Sequence, residues 1–425
     1  MKSLLTICLL ATISSTALAD KLAIVGGKVF TGSEQGTLES ATVLINGNEI
    51  VSVSASSAVP EGYQSIDASG KYVTPGLIGA YTQLGLVEVS SSAGTVDASV
   101  SSNPVSSTGA AYDVSYAINP DSSLLAISRV EGFTSAVSGI SRSDSLFHGL
   151  GAVITLSGTG DPVLKSRAFT AVNVGNGGAD SNGGSRAALW VMLEEAKSEA
   201  MQVSTAAQLS PSSQWHGLNS RADVKALKPV VNGETPLLMF ADRAADIRQV
   251  IAFKQRYPKI KVVLVKGMEA WRVAEELADA DIPVIIDPEF NLPGSFEQLG
   301  ATLANAQRLE AAGVMLAIGM ETHNIRLATQ HAGNAVAFGM SWEGAMAALT
   351  VNPARIFGVP DQLGTLTSGA KADVVVWSGD PLEVTQAPEA VIIDGEMVEM
   401  TSRQIKLRDR YQQRAESGQT SQYIR

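Results

Sequence analysis

The chain has 425 residues, 45% hydrophobic and 17% charged, with 31 Lys plus Arg against 42 Asp plus Glu. That length holds one large barrel or two or three ordinary domains, and the apolar content is ample for a buried core. A formal charge of −11 withholds the diffuse positive field that nucleic acid or an anionic lipid surface requires, and the composition excludes collagen-like, coiled-coil and disulfide-scaffold classes.

Residues 1–19 read as a cleavable export signal. Lys2 supplies a positive n-region, Leu4 to Ile13 an apolar h-region, and Ala17-Leu18-Ala19 a small-residue cleavage signature before Asp20. The apolar run falls short of the roughly 20 residues a spanning helix needs, and no other segment is a candidate span. Cys8, the one cysteine, sits inside the signal and away from its cleavage end, which argues against a lipid-anchored cysteine. The mature chain is then expected to have no disulfide, no cysteine nucleophile and no thiolate ligand. The expected location is periplasmic or secreted.

From Lys21 to Tyr72, β-like runs (Leu22 to Val25, Ala41 to Ile45, Ile50 to Val53) alternate with turn residues at Gly26-Gly27, Asn46-Gly47-Asn48 and Pro60-Glu61-Gly62. Asn46-Gly47 between alternating apolar residues is a strong hairpin signal. A second β-like stretch stands far away, at Ala372 to Trp377 and Ala390 to Val398, with Asp394-Gly395 as its turn. The two fragments are expected to pair into one small domain.

Between them strand and helix patterns alternate. Strands are expected at Leu237–Ala241, Lys261–Val265, Pro283–Ile286 and Val314–Ile318. Helices are expected at Ala244–Arg256, Glu269–Ala278 and Phe296–Ala312, with a helical pattern continuing to Leu349. Such alternation implies parallel strands with crossover helices, and a span of about 300 residues suits a (β/α)8 barrel, which needs about 250. Earlier, strands are expected near Phe133–Val137 and Ala152–Leu156 and a helix at Arg186–Met201, with the strand count of residues 90–235 left open. Ser90–Ser107 and the glycine-rich Asn173–Ser185 read as long loops; the latter lacks a P-loop Lys-Ser/Thr and so reads as a mobile loop, not a phosphate cradle. The charged tail from Thr401 reads as a solvated face.

Three stretches carry a family resemblance: Ala68-Ser69-Gly70-Lys71-Tyr72-Val73-Thr74-Pro75-Gly76-Leu77-Ile78, then Asn352-Pro353-Ala354-Arg355-Ile356-Phe357-Gly358, then Leu363 to Leu366 with Gly369-Ala370-Lys371-Ala372-Asp373-Val374 to Trp377. Together they resemble the amidohydrolase superfamily, in its imidazolonepropionase-like branch. The resemblance implies a (β/α)8 barrel over residues 73–368 and a small β-sandwich from residues 20–72 and 369–400, with residues 401–425 as a tail. It also implies hydrolysis of carbon–nitrogen bonds in amides or cyclic amides by water activated on one or two zinc or similar divalent ions. Those ions would be held by a His-x-His on strand one, a His each on strands five and six, and an Asp on strand eight.

At each of those places this chain departs. Tyr81 and Gln83 stand where the His-x-His would be, Phe240 (followed by Asp242) on the fifth strand, Lys266 on the sixth, and Glu321 at the Asp place on the eighth. Tyr and Gln are poor divalent ligands, Phe cannot ligate, and a lysine ammonium repels a cation. The expectation is that no metal is bound, leaving Tyr81, Gln83, Phe240 and Asp242 as pocket residues and Lys266, Glu321 and His323 as candidate catalytic residues.

Lys266 with Glu321 reads either as a carbonyl-polarising group with its base or as a structural ion pair. His323, two residues after Glu321, shares its side if the strand continues that far; otherwise it caps the next loop or helix. His331 reads as helix packing, His216 as loop, and Asp144 with His148 as a polar pair at i, i+4 spacing. No Gly-x-Ser-x-Gly elbow exists to supply a serine nucleophile. Two functions stay open: a hydrolase of non-peptide carbon–nitrogen bonds, or a catalytically inactive binding or partner protein of the same fold. Expected partners are a small-molecule ligand or substrate and a second copy or an active relative, with no nucleic acid.

Overall fold

The Asn46-Gly47 pair makes the hairpin its chemistry favours: Gly47 takes φ +59°, and Thr37–Asn46 pairs antiparallel with Glu49–Ser54. These strands belong to a computed structural model that describes residues 21–417 apart from 57, 93, 102–105 and 291. The expected export signal and Cys8 lie outside the described residues.

The strands from the two ends join as predicted, and they do so through one continuous hydrogen-bonded order. That order is Glu396–Met397, Pro388–Ile393, Val374–Trp377, Tyr72–Pro75, Lys21–Phe30, Thr37–Asn46, Glu49–Ser54. The reason is the length of Lys21–Phe30. Gln64–Asp67 pairs along its first half and Tyr72–Pro75 along its second, with the register shift at Gly27 between them. Ile24, Val43, Ile45, Val73, Val374 and Ile392 form the core of this sheet. Tyr72–Pro75 therefore lies in the small sheet, and the barrel begins at Leu77.

The barrel strands are β1 (Leu77–Thr82), β2 (Phe133–Ser138), β3 (Phe147–Thr155), β4 (Val163–Asn173), β5 (Leu237–Ala241), β6 (Val262–Lys266), β7 (Val284–Ile286) and β8 (Leu316–Ile318), hydrogen-bonded in that order. The seam between β8 and β1 is drawn together where the Gln83 N–H donates to the Thr322 carbonyl at 2.8 Å. At the same seam Gly319 lies so close to Tyr81 that an added Cβ would stand 3.0 Å from the Tyr81 nitrogen.

Continuous apolar runs such as Leu237-Leu238-Met239-Phe240-Ala241 suit strands buried on both faces. Leu238 and Phe240 point into the barrel interior with Ile78, Val137, Val153, Val263, Ile285 and Ala317, whereas Leu237 and Met239 join the outer core under the helices. The helix Ala244–Arg256 covers that outer face with Ala244, Ile247, Val250 and Ile251, carrying Asp246 in its first turn and Lys254 and Arg256 in its last.

One wall departs from the expected strand–helix alternation. β3 is antiparallel to both β2 and β4, so hairpins replace two crossover helices. The glycine run at 173–185, expected as a mobile loop, holds the short helix Asn176–Ser181, and two expected helices are broken into shorter turns around Ala270–Val273 and Phe296–Gln298. The charged tail contributes a helix, Arg403–Ser417. Among the described residues no helix is long and apolar enough to cross a membrane.

Candidate functional site

A cavity of about 420 Å³ opens at the C-terminal ends of the parallel strands, where barrels of this kind gather their sites. Its lining includes Tyr81 from β1, Val265 and Lys266 from β6, Ile285 and Asp287 at the end of β7, and Gly319, Met320, Glu321 and Thr322 after β8. Asp242, Met268, Phe290 and Gln298 complete it. A second, smaller cavity of about 240 Å³ adjoins it and shares Asp242, Lys266 and Gln298, with Phe240, Asn173, Gly175 and Glu297 among its other lining residues.

Lys266 is the last residue of β6 and takes φ +76°, followed by Gly267 at +62°. For a lysine the left-handed region costs about 1–2 kcal/mol. Its ammonium lies 3.0 Å from Glu321 Oε2 and 5.8 Å from the centre of the Phe240 ring. Burial lowers the affinity of this amine for its proton, but the Glu321 carboxylate, with Asp242 and Glu297 further off, outweighs it and raises the pKa. Lys266 is therefore a fixed cation.

Beneath it lies an aromatic floor. Tyr81 is buried, packs edge-on to Phe240 with centroids 5.3 Å apart, and leans on Phe169 at 5.9 Å. Its hydroxyl donates to the Ile140 carbonyl at 2.8 Å. Burial, and then the Glu321 charge, push its pKa well up, so it stays a neutral donor. His148, on β3, stacks on Phe240 at 5.7 Å and 24°. Burial brings its pKa down to about 4; a hydrogen bond with the Ile140 carbonyl opposes this, and Lys266 lowers it further. Its Nδ1 has no hydrogen-bond partner among the described residues.

The rim is held by hydrogen bonds. Asp242 accepts Gln298 Nε2 on Oδ2 at 3.0 Å and the Met268 N–H on Oδ1 at 3.3 Å. Asp287 Oδ1 meets His331 Nδ1 at 2.8 Å and accepts the Glu289 N–H at 3.1 Å. Glu297 accepts the Asn176 N–H and pairs with Arg186, whose Nε also lies 2.9 Å from Asp246.

The structure thus brings Tyr81, Phe240, Asp242, Lys266 and Glu321 together around the two cavities. Gln83 contributes its backbone to the seam but is absent from the lining of both cavities. His323 does not join Glu321: β8 ends at Ile318, so strand alternation does not extend to residue 323, and the consecutive residues Met320, Glu321 and Thr322 line the mouth in its place. Asp144 and His148 form no pair, because residue 148 lies on a strand, buried, while Asp144 is exposed. His331 is on a helix, as expected, but with Asp287 as partner; His216 is exposed. Asp287 and Gln298 escaped the sequence reading. An acid directly after the Val284–Ile286 strand was the available signal for the first; nothing marked the second. Among the described residues no group of three or more His, Cys, Asp or Glu side chains is gathered so as to hold a metal ion.

An eight-stranded barrel with a cavity at its mouth, completed by a small sheet from both chain ends, defines the amidohydrolase class of barrel proteins. The sequence pattern of the Amidohydrolase family matches residues 178–398, just over half of the chain, and the chain belongs to this family of hydrolases. An amidohydrolase from Thermotoga maritima MSB8 superposes with a TM-score of 0.78 at 23% identity, over 89% of this chain and 99% of that one. Molinate hydrolase superposes with a TM-score of 0.55 at 17% identity, over 90% and 95%. A prolidase complexed with N-methylphosphonate-L-proline does so with 0.52 at 20%, over 89% and 99%. At these identities the likeness is one of fold. "Amidohydrolase tasK" of Hapsidospora irregularis is 43% identical over 58 residues, 14% of this chain and only 6% of that protein's length.

Proposed function

We infer that this chain is a small-molecule-binding member of its family in which an ion pair stands in the place of the hydrolytic metal centre. The observation that carries this reading is Lys266 Nζ at 3.0 Å from Glu321 Oε2 in the barrel mouth. The residues there do not fit a divalent ion. Lys266 is a cation held in its charged state, the Tyr81 hydroxyl is neutral and committed to Ile140, and Phe240 has no donor atom. The test is elemental analysis of the purified protein after dialysis, with hydrolysis of amide and cyclic-amide compounds measured alongside. Less than about a tenth of an equivalent of zinc, manganese or iron and no turnover are expected. Stoichiometric metal would overturn the reading.

A second reading keeps catalysis: hydrolysis of a non-peptide carbon–nitrogen bond without metal. It is favoured by the same proximity, since an ammonium in a half-enclosed mouth polarises a carbonyl and an adjacent carboxylate accepts a proton from water. Turnover by the metal-free protein, lost in Lys266→Ala, would select it. The features of residues 1–19 further support export to the periplasm, and a mature N-terminus at Asp20 in protein recovered from that compartment is the corresponding test.

A further inference from the structure

The two cavities at the barrel mouth share three side chains, Asp242, Lys266 and Gln298. Gln298 lines both, and its Nε2 donates to Asp242 Oδ2 at 3.0 Å across the place where they join. The other end of the same amide is also occupied, because Oε1 accepts the Gly294 N–H at 3.0 Å. Gln298 thus stands on the boundary shared by a larger chamber lined by Met268, Ile285, Phe290 and Met320 and a smaller one lined by Asn173, Ser295 and Glu297 beside Phe240. Asp242 is buried, and a buried carboxylate oxygen needs a donor at all times; here a neutral amide of the protein supplies it.

We propose that Gln298 holds the place of a ligand N–H on Asp242, and that the mouth takes an organic amine whose charged head displaces the Gln298 amide while its apolar body fills the larger chamber. This deepens the binding reading above and rests on it. The charge balance selects an amine over an acid: three carboxylates, Asp242, Asp287 and Glu321, line the larger chamber against one ammonium, Lys266, which Glu321 already engages. A carboxylate ligand would face uncompensated like charge, whereas an ammonium makes a charge-assisted bond to Asp242 stronger than the neutral one it replaces. Phe290 extends the apolar wall to the surface, being 55% exposed, so the body of the amine can continue to the rim.

The experiment is calorimetric titration of the purified mature chain with three matched probes: 4-phenylbutylamine, 4-phenylbutyrate and 4-phenylbutan-1-ol. The amine is expected to bind at least about tenfold more tightly than the acid or the alcohol. Gln298→Ala, which removes the internal competitor, should tighten the amine about fivefold and leave the alcohol unchanged. Asp242→Asn keeps an acceptor for the Met268 N–H and should weaken the amine about tenfold; if that variant melts early, the Gln298→Ala comparison decides alone. Equal binding of acid and amine, an amine affinity indifferent to Gln298→Ala, or no binding of any probe would each overturn the proposal. Metal content measured on the same sample separates the failures. A metal-loaded mouth refutes the reading on which the proposal rests, while a metal-free mouth that ignores the amine refutes only the proposal.

Discussion

Lys266 and Glu321 reach each other at 3.0 Å from two different strand ends, β6 and the turn after β8, in the mouth of the barrel. The pair ties the last β-unit to the sixth, and the Glu321 carboxylate holds the Lys266 ammonium in its charged form.

Removing one member should therefore show in alkaline stability. Both side chains are partly exposed, so Glu321→Gln should cost only about 0.5–1 kcal/mol near neutral pH. The raised pKa of Lys266 gives the sign: the stabilisation is complete below the ordinary lysine value of 10.5 and is lost as pH rises through the higher folded-state value. Urea melts of both proteins from about pH 8 upward should converge above pH 10.5. Curves that stay parallel would show that the pair adds no stability.

His148 predicts the opposite end of the scale. Its folded-state pKa of about 4 lies below the ordinary 6.5, so the unfolded chain binds the extra proton between those values. Stability from this site is complete above pH 6.5, falls as pH drops toward 4, and changes no further below it. The loss is of order ~3 kcal/mol. His148→Leu should flatten the denaturation profile in that window relative to the parent, and an unchanged slope would show that the imidazole is not the group responsible.

Gly151 on β3 lies against the ring of Phe169, and a Cβ there would overlap the ring carbons. Since Phe169 packs between Tyr81 and Phe357, it has no free direction in which to yield. Gly151→Ala should destabilise by about 3 kcal/mol, and the double change with Phe169→Leu should recover part of that. Thermal melting of the four proteins checks both statements.

In the small sheet, Trp377 Nε1 donates to Thr74 Oγ1 at 2.9 Å, both side chains being buried, and the indole edge meets Gly132 at the foot of the barrel. Thr74→Val leaves the indole N–H without a partner and should cost about 1–3 kcal/mol. Chemical denaturation gives the number, and a cost below a few tenths would mean the indole finds another acceptor.

The sequence was most legible where periodicity and place coincide. Leu237–Ala241 and Ala244–Arg256 match the predicted bounds because an unbroken apolar run and an i, i+3, i+4 stripe admit one reading each. Tyr81, Phe240, Lys266 and Glu321 could be placed at the mouth because strand ends in a barrel converge whatever side chains they carry. β4 (Val163–Asn173) has no clear signal in the sequence because its run Val163-Leu164-Lys165-Ser166-Arg167 alternates poorly, with Ser166 and Arg167 exposed and the other three half-buried. Gln298 was illegible for a different reason. It comes from a loop whose path is set by tertiary bonds, Glu297 to Arg186 and the Gly300 N–H to Glu269, and no local pattern encodes those.

The reversed direction of β3 changes where variation within a strand can reach the barrel mouth. In a parallel stave the first residues lie at the closed base, remote from anything bound. Here Phe147 pairs with Val172 near the end of β4, so the opening residues of the stave stand at the level of Phe240. A change at residue 148 would reshape the chamber floor from within a strand, leaving every surrounding loop untouched.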